Sequence, residues 1–175
     1  MRALARWTCC GVLPLSTANA RIASIRIDEL IARSDEFVVA KVSELLPTST
    51  SDKALVYATG LVQKSLKGSL TGSFMFQASA GWICDTSGAV KDETALFFLG
   101  RGSDGTYYIQ FAGRSRMPFR QVDGKTYVTL WGGVVLPAGA PTIAGPEPKY
   151  PSIKSVELEY LEGLIKKAGR PSAAK

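Results

Sequence analysis

Two Asp-Gly dipeptides constrain the fold of this chain more than any other feature. Each stands between short apolar runs in the second half of the sequence; they are Asp104-Gly105 and Asp123-Gly124. Asp-Gly in this setting indicates a β-hairpin, because a type I′ turn needs positive φ at both central residues. The sequence therefore predicts two pairs of antiparallel strands in this region.

Four earlier segments also have the composition of strands. β-branched and aromatic residues dominate them, and turn-forming residues separate them. Gly60, inside the second segment, indicates a bulge or a bend. The four segments cover residues 37–42, 54–64, 73–78 and 94–99.

A helix is predicted at each end of the strand-rich region. Ile27, Leu30 and Ile31 follow the spacing of one helix face. Near the C-terminus Ser155 can cap a helix, Gly169 follows its end, and five apolar residues form one stripe. We expect this stripe to pack on the sheet, with partner binding as the alternative. The stripe consists of Val156, Tyr160, Leu161, Leu164 and Ile165.

Short strands, turns and two terminal helices predict a mainly β (α+β) fold. The expected architecture is a five-stranded, OB-like antiparallel β-barrel with a short N-terminal helix and a C-terminal amphipathic helix. The predicted organisation is a signal peptide at 1–20, the barrel at 21–131, a Pro/Gly-rich arm or linker at 132–152, the helix at 153–169 and a disordered tail at 170–175.

The first 20 residues have the composition of a cleavable secretory signal. Arg2 and Arg6 precede the apolar stretch 7–15, and Ala18 and Ala20 occupy the small-residue positions before the cleavage site. The stretch is too short to span a bilayer, which takes about 20 apolar residues. We therefore predict an exported protein, periplasmic or secreted, with no membrane span in its mature chain. A buried N-terminal helix is the alternative.

Cleavage after Ala20 would leave Cys84 as the one cysteine of the mature chain. A single cysteine cannot form an intramolecular disulfide, although an oxidising compartment would permit one. Two interpretations stay open: a free thiol that reacts or pairs between molecules, and a small buried hydrophobic residue. In both cases stability must come from the apolar core.

The chain contains no histidine, which narrows its chemistry. The usual Ser-His-Asp and Cys-His nucleophiles and all histidine-containing metal sites are excluded. The segment 85–88 matches only part of a calcium-binding loop, and a turn is the simpler interpretation. We predict no catalytic residue, no metal and no cofactor. Carboxylates brought together from distant positions are the one enzymatic option left open.

Arg114, Arg116 and Arg120 are interleaved with aromatic residues and form the candidate interaction surface. On an OB-like barrel such a stretch could stack on bases and contact phosphates. After signal removal, however, 19 basic residues face 15 acidic ones, which is a weak excess. We expect no nucleic acid. An anionic polysaccharide, a protein patch and a merely solvated face stay open.

The order of hydrophobic blocks resembles that of netrin-like domains over about residues 25–112. This OB-fold group includes the inhibitory domain of tissue inhibitors of metalloproteinases and many bacterial exported proteins. In those inhibitors an N-terminal cysteine chelates the zinc of the target, whereas the predicted mature chain here begins Arg21-Ile22-Ala23. The resemblance implies a fold and export, but no inhibitory residue. It rests on residues 28–35, 37–42, 66–68, 82–85 and 96–100.

These features together predict a non-enzymatic, exported interaction module. Its partner is expected to be a protein or a cell-envelope component, bound through a barrel face or the Pro/Gly-rich arm. An inhibitor or accessory subunit of an exported hydrolase is the alternative, and an enzyme of unknown type comes third. No particular oligomeric state is favoured.

Overall fold

The computed structural model describes residues 24–47, 55–80, 88–111, 113–147 and 151–168. Strands and two helices alternate along these ranges. The strands are β1 (Ile25–Arg26), β2 (Glu36–Pro47), β3 (Leu55–Lys67), β4 (Ser73–Ala80), β5 (Thr94–Arg101), β6 (Tyr107–Ile109), β7 (Arg116–Val122), β8 (Lys125–Leu130), β9 (Val134–Val135), β10 (Thr142–Ala144) and β11 (Lys154–Glu157). The helices are α1 (Ile27–Arg33) and α2 (Leu158–Ala168).

Five of these strands close into a barrel. β2 pairs with β3, β3 with β4, β4 with β6 and β6 with β5, and β5 pairs with β2 to complete the ring. All pairings in the ring are antiparallel except β4–β6, which is parallel. The predicted class is therefore confirmed: a mainly β fold with an OB-like five-stranded barrel, a short N-terminal helix and a C-terminal helix.

Both predicted hairpins are present. β5 and β6 pair around Asp104-Gly105, and β7 and β8 pair around Asp123-Gly124. Asp123 has φ 49° and Gly124 has φ 77°, the two positive torsions that a type I′ turn requires. In the other turn the backbone N–H of Thr106 donates to the Asp104 carboxylate and holds its pKa below the usual value.

A second sheet continues from the barrel through β5. The first half of β5 pairs with β7, which is followed by β8, β11 and β10, whereas its second half pairs with β6. Ile109 lies opposite Leu99. If the chain continued as one strand, residue 111 would lie opposite Phe97, but Arg116 occupies that place. The turn between β6 and β7 therefore contains five additional residues.

Both hairpins were predicted to belong to the barrel at 21–131. The second hairpin, β7 and β8, belongs to the second sheet instead. Turn residues fix a hairpin, but they do not determine which sheet it joins.

The segment 132–152, expected to be an arm or linker, is part of the fold wherever it is described. β9 pairs in parallel with β1, and β10 pairs with β11. Val134 and Leu136 pack against the core. Glycine and proline residues form turns in this segment, as the positive φ of Gly133 and Gly139 shows. They did not reveal the short strands, because these form only through pairing with distant segments.

The C-terminal helix begins later than its cap residue suggested. Residues 154–157 form β11, paired with both β8 and β10, and α2 starts at Leu158. Ser155 and Val156 are fully buried in that strand, so Ser155 does not cap the helix. An apolar residue at position 156 is compatible with a helix stripe or with a strand. Residues 154–157 form a strand because β8 and β10 pair with its two edges. Leu161 and Ile165 of the predicted stripe are buried against the core.

The apolar core has two layers, one on each face of β2 and β5. Val38 and Phe97 point into the barrel, where they meet residues of β3, β4 and β6. Phe37 and Phe98 point the other way, towards α1, α2 and the second sheet. Successive residues of these strands therefore enter different apolar environments, which explains the continuous apolar runs at residues 37–40 and 95–99.

Candidate functional site

Within the described ranges, the barrel wall is covered on its outside along the first half of β2 and along β5, but not along the first half of β3, β4 and β6. On β3 and β4 buried side chains alternate with solvent-facing ones. Ala58, Phe74 and Phe76 point into the barrel and are buried. Among the described residues, no helix or second sheet lies over the opposite side of these strands, where every side chain whose burial is described is partly or largely exposed.

We call this surface the outer face. Solvent-facing sides of antiparallel sheets usually carry polar residues, but Leu61 and Met75 are each 50% exposed here and Tyr108 is 39% exposed. The members on β3, β4 and β6 are uncharged, and two charged residues of β2 border them, Lys41 opposite Leu61 and Glu44 opposite Thr59. The outer face consists of Tyr57, Thr59, Leu61, Ser73, Met75, Gln77 and Tyr108.

Strand register brings these side chains together. Thr59 lies opposite Met75, and Leu61 is a diagonal neighbour of Met75 on the adjacent strand, a separation of about 7–8 Å. Gln77 lies opposite Tyr108 across the parallel pairing of β4 and β6. The outer face is thus one contiguous surface drawn from three strands.

Tyr108 lies at the β5 border of the outer face. A Cβ atom added to Gly100, its cross-strand partner, would be 2.4 Å from Cζ of the tyrosine ring. The ring therefore lies directly over the glycine. Any side chain at position 100 would displace the ring.

Packed aromatic rings support the outer face from inside the barrel. The ring centres of Phe74 and Phe76 are 5.5 Å apart, and those of Phe76 and Phe97 are 5.2 Å apart. Tyr107 meets Phe74 edge-on at 6.0 Å. Aromatic pairs of this geometry each contribute about 0.5–1.5 kcal/mol beyond their buried area. The strands that carry the outer face are therefore backed by a packed aromatic interior.

Two of the three arginines expected on an interaction surface are buried. Arg114 is 7% exposed, and its guanidinium carbon lies 5.0 Å from the centre of the Phe111 ring. Arg116 is 5% exposed, forms an ion pair with Glu93 and lies over the Trp131 ring. Neither side chain can present its charge to a macromolecular partner.

Arg120 is half-buried, and its guanidinium donates to the carbonyl oxygen of Ala144 at 3.0 Å. Its bond ties β7 to the outermost strand of the second sheet. The structure therefore does not bring Arg114, Arg116 and Arg120 together on one exposed face. The alternation of arginine with aromatic residues reflects internal packing, in which Arg114 lies against Phe111 and Arg116 against Trp131.

Lys67 has a structural role that the sequence analysis missed. Its ammonium donates to the carbonyl oxygens of Ile31 at 3.0 Å and Ser34 at 2.7 Å, at the C-terminal end of α1. It also lies 5.1 Å from the centre of the Phe37 ring. A cation at a helix C-terminus satisfies carbonyls that have no partner within the helix. Lys67 thus fastens α1 to the barrel.

The residue after Lys67 has an equally specific place. Gly68 adopts φ +86°, and a Cβ atom there would overlap the carboxylate of Glu36. That carboxylate accepts hydrogen bonds from the backbone N–H groups of Ser69 and Leu70, at 3.2 and 3.0 Å. The Lys-Gly pair at the end of a strand was the sequence signal for both roles.

Charged residues line a groove of about 420 Å³ beside α2. Lys64 lies 2.7 Å from Glu162, and Lys125 lies 3.0 Å from Glu157. The hydrogen bond to Glu157 raises the pKa of Lys125, so this lysine stays charged. Each lysine already neutralises one carboxylate, as in a structural ion pair. Within the described ranges no cluster of acidic or cysteine side chains is placed to bind a metal ion.

The predicted signal peptide 1–20 lies outside the described residues, with Ala18 and Ala20 at its cleavage site, and so do Cys84 and Gly169. The predicted tail 170–175 lies there too. Of the two helices that are described, neither is long and apolar enough to cross a bilayer.

No protein-family model matches the chain, and no curated protein compared with it shows significant similarity. Function therefore has to be inferred from the fold and the outer face.

Proposed function

We propose that this chain is a non-catalytic, exported interaction module that binds a protein of the cell envelope through the outer face. The observation that carries the proposal is the pair Leu61 and Met75, half exposed side by side on adjacent strands of the barrel wall. Interface cores are depleted of charged residues and enriched in tyrosine and methionine. The composition of the outer face matches that description.

The chemistry of the outer face also defines the expected partner. It offers thioether, aliphatic and aromatic surface, with hydroxyl and amide groups at Tyr57, Thr59 and Gln77. Burying a charge against the centre of this surface is costly, because the nearest charged groups, Lys41 and Glu44, lie at its border on β2. The complementary patch on the partner is therefore apolar and uncharged, which favours a protein over an anionic polysaccharide or a nucleic acid.

Capture from an envelope extract tests this proposal. We expect Leu61→Lys and Met75→Lys to lower the amount of bound partner by about ten-fold, equivalent to 1.4 kcal/mol. Val135→Lys is the matched control, since Val135 is 47% exposed but lies on β9, away from the outer face. Melting curves of all variants should agree with wild type, because exposed substitutions change stability by about 0.5 kcal/mol or less.

Two other outcomes would redirect the interpretation. If all three variants capture the same proteins in the same amounts, the outer face is not the binding surface. If the captured protein is a hydrolase whose activity falls on addition of the chain, the module is an inhibitor, the alternative predicted from sequence.

Export is tested separately, on the N-terminus. We expect the protein recovered from the envelope or the medium to begin at Arg21, as the composition of residues 1–20 predicts. A retained Met1 in that fraction would contradict the assignment.

A further inference from the structure

Met75 and Met117 lie in opposite environments. Met75 is 50% exposed on the outer face, whereas Met117 is completely buried in the core layer between β5 and the second sheet. Burial of one thioether and exposure of the other predicts unequal reactivity, because oxidation of a side chain follows its accessibility.

The reaction available to the exposed sulfur is oxygen transfer from a hydroperoxide. A lone pair of the thioether attacks one oxygen of hydrogen peroxide and the O–O bond breaks. The transferred oxygen stays on sulfur, its proton passes to the departing hydroxide, and water leaves. Sulfur is oxidised by two electrons and the peroxide is reduced to water. The product, methionine sulfoxide, is polar and can be reduced back enzymatically.

The position of Met75 gives this change a consequence for the outer face. The side chain stands opposite Thr59 and diagonal to Leu61, in the middle of the apolar part of the surface. A sulfoxide there places a strong hydrogen-bond acceptor where an apolar partner patch offers no donor. The barrel interior is unaffected, because Phe74 and Phe76 point the other way.

We propose that Met75 is a site of reversible oxidation by hydroperoxides and that its sulfoxide weakens binding at the outer face. The oxidation follows from exposure alone. The effect on binding rests on the proposed function.

Peptide mass mapping of the folded full chain during hydrogen peroxide treatment tests the first part. We expect the peptide with Met75 to gain one oxygen about ten-fold faster than the peptide with Met117. In urea above the unfolding midpoint the two rates should become equal, which serves as the control for intrinsic reactivity. Equal rates in the folded protein, or an unmodified Met75, would overturn the site assignment.

The second part is tested by capture from the same envelope extract, with the purified chain used before and after its treatment with peroxide. Treatment should lower the amount bound by wild type about ten-fold, and methionine sulfoxide reductase should restore it. The Met75→Leu variant, compared only with itself, should bind equally before and after treatment. Oxidation at Met75 without a change in capture overturns the regulatory effect alone. If capture never depended on Leu61 or Met75, the proposed function fails, while the peptide map still decides the oxidation site.

Discussion

Phe111 holds a backbone torsion that side chains of its size rarely adopt. Its φ of +55° lies in the left-handed region, which costs an L-residue about 1–2 kcal/mol. Two backbone hydrogen bonds to Phe98 hold the turn that contains it. The N–H of Phe98 donates to the carbonyl oxygen of Ser115, and its carbonyl oxygen accepts from the N–H of Gln110. Packing of the ring against the core and the guanidinium of Arg114 hold the residue in place. The strain is a consequence of two successive strands sharing one edge of β5.

At position 111 the glycine variant should therefore be more stable than the alanine variant, the reverse of the usual order of stability. Both Phe111→Ala and Phe111→Gly lose the ring, but only glycine is free of the torsional cost. We expect the glycine variant to be more stable by about 1 kcal/mol, whereas at negative φ glycine is the less stable by about 0.5–1 kcal/mol. Urea unfolding midpoints at constant slope measure the difference. An alanine variant at least as stable as the glycine variant would show that the turn is not strained.

At the scale of elements, α1 depends on tertiary contacts for its existence. It has seven residues and no side-chain hydrogen bond at its N-cap, and isolated helices shorter than about 12–15 residues are marginal in water. Ile27, Leu30 and Ile31 bury one face of it, as their spacing predicted. Lys67 supplies the C-terminal partner from a different element. The helix and the end of β3 therefore stabilise each other.

Lys67→Met tests that dependence. The variant keeps the apolar stem beside Phe37 but removes the ammonium, and loss of hydrogen bonds from a charged donor should lower the free energy of unfolding by about 1.5–3 kcal/mol. Lys64→Met is the matched control, because it removes a lysine of the same strand that is itself 51% exposed in its ion pair with Glu162, and pairs with an exposed lysine contribute about 0–1 kcal/mol. Equal losses in urea unfolding would contradict the role assigned to Lys67, as would unchanged hydrogen exchange in α1.

At the scale of the whole molecule, β5 belongs to both sheets and separates the two core layers. Closure of the barrel also requires close approach of β3 to the aromatic interior. Opposite Gly60 the register of β2 shifts between Val42 and Glu44, an irregularity of the bulge type at the point where the glycine predicted a bulge or a bend. A Cβ atom at position 60 would lie 2.6 Å from the Phe74 ring.

Gly60→Ala should therefore destabilise the whole domain, by about 1–3 kcal/mol for overpacking. Combined with Phe74→Leu, which vacates the space, the loss should fall short of the sum of the single losses by about 0.5–3 kcal/mol. Gly163→Ala is a control of opposite sign: it lies exposed inside α2 with no atom near its added Cβ, and should stabilise by about 1 kcal/mol. Strictly additive losses at positions 60 and 74 would contradict the predicted clash.

The candidate site was only partly visible in the sequence. A barrel face was expected to bind, but the residues chosen for it were arginines, because alternating charged and aromatic residues suggest a contact surface. Two of them are buried, and burial of a charge depends on partners such as Glu93 that lie far away in sequence. The alternation of Phe74, Met75 and Phe76 did contain the signal for an exposed methionine.

What the sequence determined by itself is local. The positive torsions at Asp123 and Gly124, the buried face of α1 and the unbroken apolar runs of β2 and β5 depend on neighbouring residues, so hairpins, helix and barrel class could be predicted. The tertiary structure alone decided that β7 and β8 leave the barrel, that residues 154–157 form a strand, and that Leu61 and Met75 stay half exposed on the barrel wall. Each of these depends on which distant segments pair or pack, and that choice is made by contacts between residues far apart along the chain.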